Sequence, residues 1–94
     1  MHYTKYEWDE KKAATNFEKH GISFMHVEKF DWSTAMIIPD NRRTYGEPRF
    51  LAYGMIEARL YVMVYTLRRS AVRIIGLRQA NERERNQYEE NEEN

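Results

Sequence analysis

Tyr61-Val62-Met63-Val64-Tyr65-Thr66-Leu67-Arg68, followed after a tight turn by Val72-Arg73-Ile74-Ile75-Gly76-Leu77-Arg78, is the stretch whose reading decides the fold. Two runs rich in β-branched and aromatic residues, parted by Arg69-Ser70-Ala71, predict a β-hairpin. Asn81 onward, with Glu84 in capping-box spacing, predicts a helix. Six arginines lie between Tyr61 and Arg85. At strand ends an arginine does not belong in a core. Arg68, Arg73 and Arg78, with Arg69 in the turn and Arg83 and Arg85 in the helix, are therefore expected to form a cationic rim around a small sheet. Such a rim suits an anionic partner, and phosphate is the usual one.

Outward from the hairpin, alternation places Leu60, Val62, Val64 and Thr66 on one face of its first strand and Tyr61, Met63 and Tyr65 on the other. One face is expected to bury the N-terminal helices and the other to present aromatics beside the arginines. Arg49–Met55 reads as the preceding strand and Ala35–Ile38 as the first, with the polar stretch from Asp40 to Pro48 as a loop. Further upstream Asp9 caps a helix over Glu10–Lys19, with Trp8 and Ala13 as a hydrophobic staple and Gly21 as its stop. Ser23 repeats the device for a short helix through Phe30, with Ile22 and Val27 as staple partners. The expected class is α+β: two N-terminal helices, a four-stranded antiparallel sheet and a C-terminal helix. One domain over residues 1–88 and an acidic tail over 89–94 account for the length.

The 94 residues carry 15 basic and 15 acidic side chains, and this neutrality conceals an asymmetry. Met1 to Ala80 holds 13 Lys and Arg against 9 Asp and Glu, whereas Asn81 to Asn94 holds 2 against 6. A cationic body and an acidic end cancel. Glu89-Glu90-Asn91-Glu92-Glu93-Asn94 has no apolar residue to bury and is expected to be frayed and solvated. It serves solubility or covers the basic surface. With zero cysteines, disulfides, thiolate metal ligation and thiol catalysis are excluded, which fits a reducing compartment. No apolar run approaches the length of a membrane span, and no signal peptide is evident, so a cytoplasmic protein without membrane contact is expected.

Motif-borne chemistries are scarce. The four glycines stand apart, so no phosphate loop or dinucleotide fingerprint is present. Asp9, Asp31 and Asp40 sit at caps and turns, which gives no support to a carboxylate cluster around metal ions. What remains is acid, base and cation chemistry, with no cofactor expected and no metal site.

Two blocks together resemble a known family. The first is Tyr6-Glu7-Trp8-Asp9, Asn16 and Lys19-His20-Gly21-Ile22-Ser23-Phe24. The second is Val64-Tyr65-Thr66-Leu67-Arg68, Arg73-Ile74-Ile75-Gly76-Leu77-Arg78-Gln79-Ala80 and Glu84-Arg85, and Arg49-Phe50 with Gly54 between the blocks also fits. In order and spacing they resemble the BrnT family, the toxin half of a bacterial type II toxin–antitoxin module, from about Tyr6 to Tyr88. Met63 departs from the β-branched residue usual there, and the acidic end lies outside the pattern. The resemblance implies a RelE-like fold, a ribonuclease that stops translation, and a hetero-oligomer with a BrnA-type antitoxin. That partner's ribbon-helix-helix part would bind operator DNA, which the toxin would reach only through it.

RNA cleavage without a metal proceeds when a ribose 2′-hydroxyl attacks the adjacent phosphate, leaving a cyclic phosphate and a free 5′-hydroxyl. A base must take the 2′ proton, cations must neutralise the pentacoordinate phosphorus, and the leaving oxygen must be protonated or shielded. His20 is the candidate acid or base, because its pKa lies near neutrality. Arg49, Arg68 and Arg78 are candidate catalytic cations, Arg78 foremost because it ends the last strand. Lys19, Tyr65, Arg73 and Arg83 are candidate RNA contacts. Bland rivals stand beside these. His20 also suits a helix C-terminus stabilised by the dipole, Tyr65 a half-buried sheet surface, Arg73 a cross-strand pair, and Arg85 an ion-paired helix face with Glu82 and Glu89. His26 reads as structural and His2 as frayed. Two further functions use the same arginines: RNA or DNA binding without cleavage, with Tyr53, Tyr61 or Tyr65 as stacking platforms, and docking of an acidic protein.

Overall fold

The structure is a computed structural model that describes residues 5–93; the expectation for His2 lies outside them. Strands β1 (Tyr6–Trp8), β2 (Met36–Pro39), β3 (Phe50–Ile56), β4 (Arg59–Arg68) and β5 (Ala71–Gln79) form one sheet in the order β1-β5-β4-β3-β2. Helices α1 (Glu10–His20) and α2 (Glu82–Glu93) flank it, and two 3₁₀ segments, Phe24–Lys29 and Trp32–Thr34, link α1 to β2. The expected α+β class holds, with one correction. The sheet is five-stranded and mixed rather than four-stranded and antiparallel, because β1 runs parallel to β5 with Tyr6, Glu7 and Trp8 opposite Val72, Arg73 and Ile74. The second N-terminal helix forms where expected, as a 3₁₀ helix. Ser23 caps it, accepting from Met25 N–H at 3.2 Å, and Phe24, Val27 and Phe30 recur every three residues. That period aligns side chains along a 3₁₀ turn rather than an α-helix, and all three are buried.

The helix ends follow the sequence rules. Asp9 accepts from the N–H groups of Lys11 and Lys12. Gly21 closes α1 at φ 69°, its N–H donating to Phe17 O. Asn81 and Glu84 exchange the reciprocal capping-box bonds at 2.8 and 2.9 Å. Where the sequence reading expects a frayed acidic end from Glu89, α2 continues to Glu93.

Both faces of β4 are covered. Phe24, Val27, Phe30 and Trp32 pack on the face carrying Met63, Tyr65, Ile74 and Leu77. Tyr88 of α2 packs on the other, against Tyr53, Leu60, Val62 and Ala80, and its hydroxyl donates to Thr34 O at 2.7 Å. Gly54 admits the Phe30 ring to the sheet: a Cβ there would meet Phe30 Cε2 at 2.8 Å and press still closer on Cζ. Gly54→Ala is therefore expected to cost about 1–3 kcal/mol through overpacking, read as a lowered denaturant midpoint. An unchanged midpoint would show that the ring has room to move.

Candidate active site

On the α2-bearing face the rows of side chains run Met36, Tyr53, Val62, Arg78 and then Ile38, Leu51, Val64, Gly76. The register slips between Val64 and Tyr65, leaving Ile75 as the extra residue of a β-bulge. Val64, Ile75 and Gly76 form the floor of an open cleft of about 460 Å³. One wall is α1, which contributes Lys11, Lys12, Thr15, Asn16, Lys19 and His20, and the other is formed by Arg42 and Arg49 at the two ends of the loop between β2 and β3. Five cationic side chains and a histidine line it, with no carboxylate among the lining residues.

Asn16 places the α1 wall. It is buried, its Oδ1 accepts from Leu77 N–H at 3.1 Å, and its Nδ2 donates to Leu77 O at 2.8 Å and Ile22 O at 3.4 Å. Lys12, Thr15 and Lys19 then follow at helical spacing along the cleft. The loop wall is built from side chains. Asp40 holds Arg42 in a two-point ion pair, and the Arg49 guanidinium stacks on the Tyr45 ring at 4.0 Å. Glu47 Oε2 lies 3.5 Å from Arg49 Nε, an ion pair without hydrogen-bond geometry, so that buried Nε has no hydrogen-bond partner among the described residues.

Electrostatics suit an anion. Local desolvation of the exposed imidazole, then the Lys19 charge, then that of Arg78, lower the His20 pKa below its ordinary value. The shift favours the neutral imidazole, the form that accepts a proton. Asp40 is pushed down to about 2, chiefly by its hydrogen bond from Arg42, so it stays ionised throughout the ordinary pH range.

The family model described as the ribonuclease toxin BrnT of type II toxin–antitoxin systems matches residues 8–84. The chain belongs to the BrnT family. The crystal structure of the Brucella abortus ribonuclease toxin BrnT is similar over 84% of this chain and 100% of that one, with 27% identity and a TM-score of 0.65. No individually curated protein matches in sequence. The BrnT match takes in every residue that lines the cleft.

Of the residues singled out from sequence, Lys19, His20 and Arg49 come together in the cleft. Arg78 stands beside it, near enough for its charge to act on His20, but its guanidinium is held by Glu84 at 2.7 and 2.8 Å. That pair ties the sheet to the capping box of α2. Arg68 lies outside the lining and pairs with Glu47 at 3.2 Å. Arg73 pairs across the parallel strands with Glu7 at 2.7 Å. Arg83 sits on the outer surface of α2 with Asn86 and Glu90. Tyr65 is only 2% exposed, edge-on to Trp32 and tilted against Phe50, so it is core rather than a stacking platform. Arg85 does not join the expected ion-paired helix face in its clearest contact: its Nη1 donates to Ala80 O at 2.9 Å. Sequence reasoning missed Lys11, Lys12 and Arg42. The two lysines read as solvated helix surface, but their spacing to Thr15 and Lys19 along one helix face was a usable signal.

Proposed function

We propose that this BrnT-family chain is a RelE-like endoribonuclease toxin that cleaves RNA by 2′-hydroxyl attack without a metal ion. In this reading it thereby inhibits translation, and a BrnA-type ribbon-helix-helix antitoxin neutralises it in the cytoplasm. The observation that carries the reading is the cleft itself, where Lys11, Lys12, Lys19, Arg42 and Arg49 share one lining with His20, whose pKa is lowered. A phosphodiester placed there meets cations on two sides, and the growing charge on phosphorus is what such cations stabilise. His20 takes the 2′ proton as the 2′-O–P bond forms and the P–O5′ bond breaks, and solvent in the open cleft protonates the departing 5′ oxygen. The floor of Val64 and Gly76 has no side-chain charge and leaves room for the backbone of a single strand.

Incubation of the purified protein with single-stranded RNA in excess chelator tests this directly, with 2′,3′-cyclic phosphate and 5′-hydroxyl ends expected. Intact RNA, or cleavage that needs added divalent ion, would overturn the mechanism. The rate has a definite pH sign. Because the base works when neutral and its pKa is lowered, kcat/KM is expected to fall only as pH drops below the ordinary histidine range and to level off above it. Lys19→Ala removes the larger of the two charges depressing His20 and should move that acid limb to higher pH. An acid limb that stays in place in Lys19→Ala, or persists in His20→Ala, would remove His20 from the role of base.

A further inference from the structure

Asp40 is the most fully enclosed carboxylate in the cleft's surroundings, with its side chain 0% exposed. Its Oδ1 accepts from Arg42 Nε at 2.7 Å and from Arg42 N–H at 3.3 Å, and its Oδ2 accepts from Arg42 Nη2 at 2.8 Å and Tyr45 hydroxyl at 3.3 Å. The Asp40 N–H donates to Arg49 O at 2.8 Å, which pins the two ends of the loop together. Tyr45, anchored on the same carboxylate, carries the Arg49 guanidinium on its ring. One buried anion thus fixes one cleft arginine directly and the other through a tyrosine. The intervening loop has no regular secondary structure.

We propose that Asp40 is a positioning residue that aims Arg42 at an RNA phosphate in the cleft, an inference that rests on the cleft being an RNA site. The guanidinium of Arg42 has two nitrogens held in a plane by Asp40, while its side chain remains 61% exposed. An arginine pre-set in this way loses less conformational freedom when it meets phosphate than a free surface arginine does. Asp40 does not touch the RNA, and its own charge opposes RNA binding. That opposition makes the inference sharp. If the loop acted only as a patch of positive potential, removing the Asp40 charge would raise the net positive charge and tighten binding. If Asp40 positions Arg42, removing it weakens binding despite the added charge.

The test is the affinity of wild type, Asp40→Asn and Arg42→Lys for a short single-stranded RNA made non-cleavable by 2′-O-methylation. It is read by fluorescence anisotropy at fixed salt, well below each variant's melting temperature. Both variants are expected to bind about tenfold more weakly, the loss of one well-aimed charge-assisted contact. Arg42→Lys keeps the charge but not the fork, and it decides the matter should Asp40→Asn fail to fold. Equal or tighter binding by a folded Asp40→Asn, or unchanged binding by Arg42→Lys, overturns the positioning role alone. Absence of binding by wild type overturns the RNA-cleft reading and this inference with it.

Discussion

Asn16→Ala is expected to destabilise the protein by about 3–4 kcal/mol, since buried groups left without a hydrogen-bond partner cost roughly 1–3 kcal/mol each. For a chain of this size that lowers the melting temperature by about 12 °C or more. The reason lies at the sheet edge. β1 covers β5 only from Val72 to Ile74, and beyond the bulge at Ile75 the N–H and C=O of Leu77 have no strand to pair with. The Asn16 carboxamide supplies an acceptor and a donor to that one residue, as a neighbouring peptide group would. Alanine leaves both groups, and Ile22 O, buried and unpaired. Asn16→Asp is expected to be at least as harmful, because a carboxylate would face the Leu77 and Ile22 carbonyls. A melting temperature within a few degrees of wild type for Asn16→Ala would mean that water enters and satisfies these groups. The same contact fixes α1 against the sheet, so a variant that survives folding should also lose alignment of Lys12 and Lys19 along the cleft.

What was legible in the sequence was what short-range chemistry specifies. The β4–β5 hairpin, the Asp9 and Asn81 caps and the Gly21 stop depend on residues a few positions apart, and their pattern is complete within a short window. β1 is different. Its partner Val72 is far along the chain, parallel pairing needs no turn beside it, and three residues are too few to show alternation. Tyr6-Glu7-Trp8 therefore reads as the approach to a helix. Alternation also assigned Tyr65 to a face without revealing what covers that face, and Trp32 and Phe50 bury it. The partners of the arginines were hidden for the same reason. A strand-end arginine looks available for phosphate until its partner is known, and for Arg73, Arg68 and Arg78 those partners are Glu7, Glu47 and Glu84. Conversely Arg42, in a loop that reads as polar filler, lines the cleft, with buried Asp40 holding its guanidinium.

Arg49→Ala and Arg68→Ala separate a cleft from a rim, and the expected effects differ by orders of magnitude. Both arginines approach the same carboxylate, Glu47, at 3.5 and 3.2 Å. Arg49 lines the cleft, its side chain 19% exposed and its guanidinium braced on Tyr45. Arg68 is 52% exposed and lines no part of it. A preorganised cation at the reacting phosphate is worth roughly 100- to 1,000-fold in rate, so Arg49→Ala should lose about that much, mainly in kcat because the interaction strengthens as charge grows on phosphorus. Loss of Arg68 removes one exposed ion pair and one distant charge, and cleavage should fall by no more than about threefold. Stability should change little for Arg68→Ala, whereas Arg49→Ala also loses its stacking on Tyr45, so both rates are compared well below each variant's melting temperature. The comparison is made on purified proteins at one ionic strength with a single RNA substrate, so that the loss of one positive charge is common to both. Comparable losses in the two variants would mean that RNA follows the outer ring of arginines, and the cleft would then be a neighbour of the catalytic centre instead of the centre itself.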